Sequence, residues 1–178
     1  MNIFVLDPDP NKSAEYHCDR HMKMICETAQ MMSTCVAQFD IKDDMLYKPF
    51  NSNHTCNKWI LESRENFKWL LNLGLALNRQ NLQRYKKEHA SNRIIKHAAQ
   101  YVNLFPDKPQ TPFKLAMFPQ YMGDNTFNSY KLFYAGAKFK FANWKKLNNI
   151  PNWWKEYRDY VISNNLEILN DKNDYIKI

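Results

Sequence analysis

Residues 16–27 read Tyr-His-Cys-Asp-Arg-His-Met-Lys-Met-Ile-Cys-Glu, and this stretch decides the predicted fold. It lies inside an amphipathic pattern that begins at Asp9 and Pro10, residue types favoured at the N-cap and the first position of a helix. Small or apolar residues then recur at intervals of three or four: Ala14, Cys18, Met22, Ile25, Ala29, Met32 and Val36. This spacing predicts one long helix over residues 10–38.

The rest of the chain also has mostly helical patterns. Residues 54–87, 91–105, 126–147 and 152–169 each favour a helix, and the apolar residues 2–6 favour a short strand or a buried extended arm. The first two long helices are expected to pack together through Met22, Ile25, Met32, Phe67, Leu70 and Leu71. We therefore predict a mainly α fold, a single-domain helical bundle over residues 1–178 with a short N-terminal extended arm and a polar tail over 170–178.

Composition excludes several classes of protein. Apolar residues make up 44% of the 178 residues, which argues against a disordered chain, and three glycines are too few for a phosphate-binding loop. No apolar run is long enough to span a bilayer, and the first ten residues lack the basic region of a secretory signal. The four cysteines form no CxxC pair, which predicts free thiols in a reducing compartment. A net charge of +7 favours a polyanionic partner.

The first candidate site is the polar edge of the first predicted helix. On a helical projection Asp19, Lys23 and Glu27 share the polar face, whereas His17 and His21 lie at its border. One interpretation is an acid–base or substrate-binding site, and a second is an ordinary ladder of ion pairs between residues four apart. A metal site is disfavoured because Asp19 points away from both histidines, so we predict no metal.

Two further segments have the residue types of an anion-binding site. His54 stands where the second helix begins, close to Trp59, and the free N–H groups of a helix start can bind phosphate; capping by Asn53 or Thr55 is the alternative. Lys131, Lys138 and Lys145 repeat every seven residues beside Tyr134, so one helical stripe could follow a nucleic acid. The alternative is a solvated lysine face over an aromatic core.

Several motifs resemble those of a family of small, mostly uncharacterised phage proteins. They are the opening Met-Asn-Ile-Phe-Val-Leu-Asp-Pro, the His-Cys-Asp-Arg-His helix, the Asn-His-Thr-Cys helix start, Thr-Pro-Phe at 111–113 and the late Tyr-Lys-Leu-Phe-Tyr run. The likeness spans nearly the whole chain and brings little chemistry with it.

A more distant resemblance is to the phage pyrimidine-dimer DNA glycosylases, which are small, basic, mainly helical and free of metal and cofactor. The matching positions are His21 and Glu27 on the first helix, His54 opening the second, and the aromatic and basic segment 130–138. In that family the N-terminal α-amine attacks C1′ of the sugar after Met removal and the glutamate assists. The resemblance therefore implies that Asn2 would supply the amine here.

We predict a phage enzyme that acts on DNA, a DNA N-glycosylase/lyase or a related base-processing enzyme. The expected catalytic residues are Glu27, His21, His17 and Asn2, and the expected substrate-binding residues are His54, Lys23, Asp19, Trp59, Lys131, Tyr134, Lys138 and Lys145. We expect the four catalytic and nucleotide-binding side chains His17, His21, Glu27 and His54 to surround one pocket. The alternatives are an enzyme acting on a free nucleotide or small metabolite, and a non-catalytic nucleic-acid-binding or host-interaction protein. No cofactor, membrane contact or obligate protein partner is expected, and the predicted location is the host cytoplasm.

Overall fold

Helices account for all the regular secondary structure in the part of the chain that the computed structural model describes, residues 1–168. The α-helices are α1 (Pro10–Tyr16), α2 (Met24–Ala37), α3 (Thr55–Glu62), α4 (Arg64–Tyr85), α5 (Asn92–Ala98), α6 (Thr126–Ala137) and α7 (Trp154–Ser163). Short 3₁₀-helices cover Asp19–Lys23, Ala99–Leu104 and Pro119–Tyr121. The predicted mainly α fold is confirmed, and the predicted polar tail over 170–178 lies outside the described residues.

The prediction of one helix over residues 10–38 is wrong in one respect, because the helix is interrupted after α1. His17 and Cys18 are extended, with ψ angles of 134° and 167°. Their backbone groups bind other elements: Arg84 donates to the His17 carbonyl at 2.7 Å, and the Cys18 N–H donates to the Tyr134 hydroxyl at 2.8 Å. These bonds replace the intrahelical bonds that the break removes.

The helix predicted over residues 54–87 is also two helices, separated at Ser63. Ser63 is extended and its hydroxyl accepts from the Asn66 N–H, which caps α4. The Asn66 amide then donates to the Trp59 carbonyl at 2.6 Å and to the Thr111 hydroxyl at 2.8 Å, while the Thr111 N–H donates back at 3.0 Å. One buried amide therefore fixes the angle between α3 and α4 and connects both to the loop that follows the 3₁₀-helix Ala99–Leu104.

The remaining predicted helices are shorter than expected. The helix predicted over 91–105 changes to a 3₁₀-helix at Ala99, that over 126–147 ends at Ala137, and that over 152–169 covers only α7 in the described residues. At the end of α6 the Ala135 carbonyl accepts from Arg158 and the Gly136 carbonyl accepts from the Ile168 N–H. Partners from the chain near α7 thus replace the next turn of α6.

The core forms where α4 packs against α1, α2, α3 and α5, and α6 packs against α7. Of the six residues expected to join the first two long helices, Leu71 is partly buried and the other five are fully buried. Residues 3–6 run through the core as the predicted extended arm, and the Ser13 hydroxyl joins the arm to α1 by bonding to Leu6 and Phe4. Within residues 1–168, none of the helices combines the length and apolar character that crossing a bilayer requires.

Replacing Asn66 by Ala is expected to lower the free energy of unfolding by about 1–3 kcal/mol, because buried partners lose their hydrogen bonds. Urea denaturation measures the change. Asn72→Ala is the matched control, since Asn72 is an exposed residue of the same helix. Equal effects of the two substitutions would contradict the structural role given to Asn66.

Candidate functional site

His17 and His21 lie inside an aromatic cluster and are both fully buried, not at the border of a polar face. Phe4 of the arm contacts both rings, at centroid distances of 6.2 and 4.7 Å, and Tyr134 lies 4.8 Å from His21. Burial lowers the pKa of His17 to about 4 and lowers the pKa of His21 well below 6.5. Both rings are therefore neutral at pH 7, and neither is placed to contact a nucleotide.

Asp19 is buried as well, with 7% of its surface exposed. Its carboxylate accepts from the Lys146 N–H at 3.0 Å and lies 3.7 Å from the Arg84 guanidinium, whose side chain is fully buried. The alternative of an exposed ion-pair ladder through Asp19, Lys23 and Glu27 is wrong, because the 3₁₀-helix turns Asp19 inward. Asp19 is thus placed to hold elements together, and Lys23 remains exposed.

Glu27 is on α2 and contacts the start of the N-terminal arm, and 28% of its side chain is exposed. Its Oε2 accepts from the Asn2 N–H at 3.0 Å and lies 3.8 Å from the α-amine of Met1. Burial lowers the pKa of His54, and the charge of this amine lowers it further. Burial likewise raises the pKa of Cys56 to about 12, with Glu27 adding to the effect.

The structure therefore divides the predicted pocket. Glu27 contacts Asn2 at the first residues of the arm, and burial and the amine there lower the pKa of His54, whereas His17 and His21 pack around Phe4, two residues further along. His54 also caps α3, since its Nδ1 accepts from the Cys56 N–H at 3.1 Å, so the capping role belongs to His54 rather than to Asn53 or Thr55.

Trp59 and Tyr134 are core residues in the structure. The Trp59 ring lies 5.0 Å from that of Phe113, and its Nε1 donates to the Thr111 carbonyl. Tyr134 is fully buried and its hydroxyl accepts from the Cys18 N–H. Neither ring is placed where a base could stack on it.

The predicted stripe of Lys131, Lys138 and Lys145 is wrong, because α6 ends at Ala137 and Lys145 lies beyond it. Lys131 Nζ lies about 6 Å from the rings of Trp153 and Tyr157, with distances of 6.0 and 5.9 Å. Lys138 is the C-cap residue, with its Nζ 5.3 Å from the Phe133 ring. The three lysines do not share a helical face.

Other groups bear on what the molecule could bind. Between α6 and α7 lies a groove of about 240 Å³ lined by Asn128, Leu132, Glu156, Tyr157 and Tyr160, none of them a predicted site residue. Among residues 1–168, no three His, Cys, Asp or Glu side chains come together as a metal site would require. Sequence analysis missed Arg84, Tyr85, Arg20 and Lys146, which meet at Asp19 and its neighbours.

No protein-family model matches this chain, and no curated protein or solved structure is significantly similar to it. The functional argument therefore depends on the geometry of its own residues.

Proposed function

We propose that this protein processes bases in DNA, as a DNA N-glycosylase/lyase or a related enzyme, with Glu27 beside the reacting amine. The observation that carries the proposal is the position of Glu27 Oε2, 3.8 Å from the Met1 α-amine and 3.0 Å from the Asn2 nitrogen. With either residue at the start of the chain, an amine lies against the carboxylate.

An amine paired with a carboxylate suits attack on a sugar carbon. The amine nitrogen forms a bond to C1′ of the deoxyribose, the bond from C1′ to the base breaks, and the base leaves with the electron pair. Glu27 accepts a proton from the amine and returns it to O4′ as the C1′–O4′ bond breaks and the sugar ring opens; its carboxylate then stabilises the positive iminium. His54 is held through Nδ1 by the backbone of α3, which leaves Nε2 as the ring nitrogen that could meet the nucleotide.

His17 and His21 have a positioning role in this proposal. Their neutral rings pack against Phe4, and Phe4 fixes the arm whose beginning contacts Glu27. The Asn2 side chain adds a second anchor, because its amide donates to the Ala116 carbonyl at 2.7 Å. The amine is thereby held in one place before a substrate binds, which lowers the entropic cost of reaction.

The second candidate is a non-catalytic nucleic-acid-binding protein. It is favoured by the burial of His17 and His21, which leaves Glu27 as the predicted acid–base side chain that lies beside the amine. A binder would hold DNA and give no covalent product, so one trapping experiment separates the two candidates.

Borohydride trapping on duplex DNA that contains an abasic site or a pyrimidine dimer tests the enzyme proposal. The wild-type protein should give a covalent adduct, and peptide mapping should place it on the first residue of the chain. Glu27→Gln should slow adduct formation about 10²–10⁴-fold, the usual contribution of a positioned acid–base group. Glu65→Gln, which alters a carboxylate paired with Lys68 on α4, should trap like wild type.

Two outcomes would contradict the enzyme proposal. No adduct with either DNA would reject the enzyme proposal and favour the non-catalytic candidate. An adduct on an internal lysine would also contradict it. Thermal unfolding of Glu27→Gln checks that the variant folds, and the pH 7 transition should stay near that of wild type.

A further inference from the structure

Three segments that are far apart in the sequence meet around Asp19. The Asp19 N–H donates to the Asn143 carbonyl at 2.8 Å, its carboxylate accepts from the Lys146 N–H, and its carbonyl accepts from the Tyr85 hydroxyl at 3.0 Å. The 3₁₀-helix Asp19–Lys23, the end of α4 and the segment that follows α6 therefore form one continuous part of the surface.

The positive charge of the chain is concentrated in these segments. Residues 16–24, 82–87 and 138–149 contain nine Lys and Arg and a single acid, a formal charge of +8 against +7 for the whole chain. The one acid is Asp19, which is buried beside Arg84. We call the exposed cations of these segments the basic surface; they are Arg20, Lys23, Lys86, Lys87, Lys140, Lys145 and Lys146.

An electrostatic effect inside the protein agrees with this convergence. After burial and the charge of His17, the causes that lower the pKa of His21 are Lys23, Lys138 and Arg20. Cations from the first 3₁₀-helix and from the end of α6 therefore act on the same ring. Repulsion of this kind is relieved when an anion binds nearby.

Two aromatic rings in these segments each have a cation of the basic surface beside them. The Arg20 guanidinium lies 5.1 Å from the centroid of Phe141, and Lys146 Nζ lies 5.6 Å from that of Tyr85. Recognition of single strands commonly uses open aromatic faces on which bases stack, whereas a duplex offers its phosphates to side chains that carry charge alone. A cation beside each of these two rings competes with a stacking base, which favours the duplex.

We propose that the basic surface binds the phosphate backbone of duplex DNA. The inference rests on the proposed function only in taking DNA as the substrate, and it replaces the Lys131, Lys138 and Lys145 stripe as the site of contact. Lys23 precedes Glu27 by one helical turn, so a backbone bound here leads to the candidate reacting pair.

The test compares two variants with the same loss of charge. The first carries Arg20→Ala, Lys23→Ala and Lys145→Ala, all within the basic surface; the second carries Lys42→Ala, Lys58→Ala and Lys108→Ala, all exposed and outside it. Fluorescence anisotropy gives Kd for a short labelled duplex at several salt concentrations between about 50 and 200 mM.

For the first variant, the slope of log K against log salt should become shallower by about 0.9 per lost phosphate contact, up to about 2.7 in all. The second variant should keep the wild-type slope. Equal slopes in the two variants, or no binding of wild type to the duplex, would overturn the proposal.

Two further probes use the same proteins. A single strand of the same length should bind more weakly than the duplex, and tighter binding of the single strand would overturn the choice of duplex. Vesicles of phosphatidylcholine and phosphatidylserine should not compete with the duplex; binding to vesicles without binding to DNA would overturn the proposal in favour of a membrane surface.

The borohydride experiment separates this inference from the enzyme proposal. If wild type traps no adduct but the salt slopes differ as expected, the proposed chemistry at Glu27 is contradicted and the proposed DNA contact at the basic surface is supported. If the adduct forms but the two variants bind alike, the proposed DNA contact at the basic surface is contradicted and the proposed chemistry at Glu27 is supported.

Discussion

Replacing Arg84 by Met should lower the free energy of unfolding by roughly 3–5 kcal/mol, because it breaks a buried ion pair and leaves one partner behind. The Arg84 guanidinium donates to the carbonyls of His17 and Glu15 at 2.7 and 3.4 Å and lies 3.7 Å from the Asp19 carboxylate. Met fills similar space but cannot bond to any of these oxygens. Chemical denaturation in urea at pH 7 measures the loss.

The control is Arg79→Met, one and a half turns earlier on α4, where the exposed side chain bonds to Asn11. This change should cost less than about 1 kcal/mol, as is usual for exposed polar contacts. The double variant Asp19→Asn with Arg84→Met should lose less than the sum of the single losses, because no charge is left buried. If Arg84→Met lowers the free energy of unfolding no more than Arg79→Met does, the buried ion pair does not stabilise the helix interruption after α1.

Acidification should destabilise the protein between about pH 6.5 and pH 4. Burial lowers the pKa of His17 to about 4 in the folded state, whereas an unfolded histidine has a pKa near 6.5. The unfolded chain therefore takes up the proton first, so stability is full above about pH 6.5 and falls with decreasing pH until about pH 4. The loss from His17 alone is roughly 3 kcal/mol.

The variant His17→Gln isolates this contribution, since His21, His54 and His89 also have lowered pKa values and titrate in the same direction. Its free energy of unfolding should depend less steeply on pH between 6.5 and 4 than that of wild type. Asp43 does not interfere, because bonds from Tyr101 and His97 lower its pKa to about 2 and its effect is felt only in stronger acid. An unchanged slope in His17→Gln would contradict burial of a neutral imidazole.

Periodicity was sufficient to predict the helical class and most of the core. Residues such as Ile25, Met32, Phe67 and Leu70 are buried as their spacing predicts, because the apolar stripe of a helix has to face the interior. The breaks at His17 and Ser63 have no such signal. Neither has a proline or glycine beside it, and the partners that satisfy the broken backbone are distant in sequence, as are Arg84 and Tyr134 from His17.

The candidate site was predicted less well than the fold for the same reason. Once the chain breaks after α1, the helical projection no longer tells which way His17, Asp19 and His21 point, and all three turn inward. The sequence does contain a signal for Arg84, because this residue lies seven residues after Leu77 and so continues an apolar stripe. A cation at such a position indicates a buried partner, which here is Asp19.

The route of the N-terminal arm has a consequence for how the molecule folds. Asn2 bonds to Ala116 and to Tyr130, at sequence separations of 114 and 128 residues. Contacts of such long range form slowly, because the chain must close a large loop before they contribute. We therefore expect these two anchors of the arm to form late in folding, after its shorter-range contacts with Ser13 and Glu27.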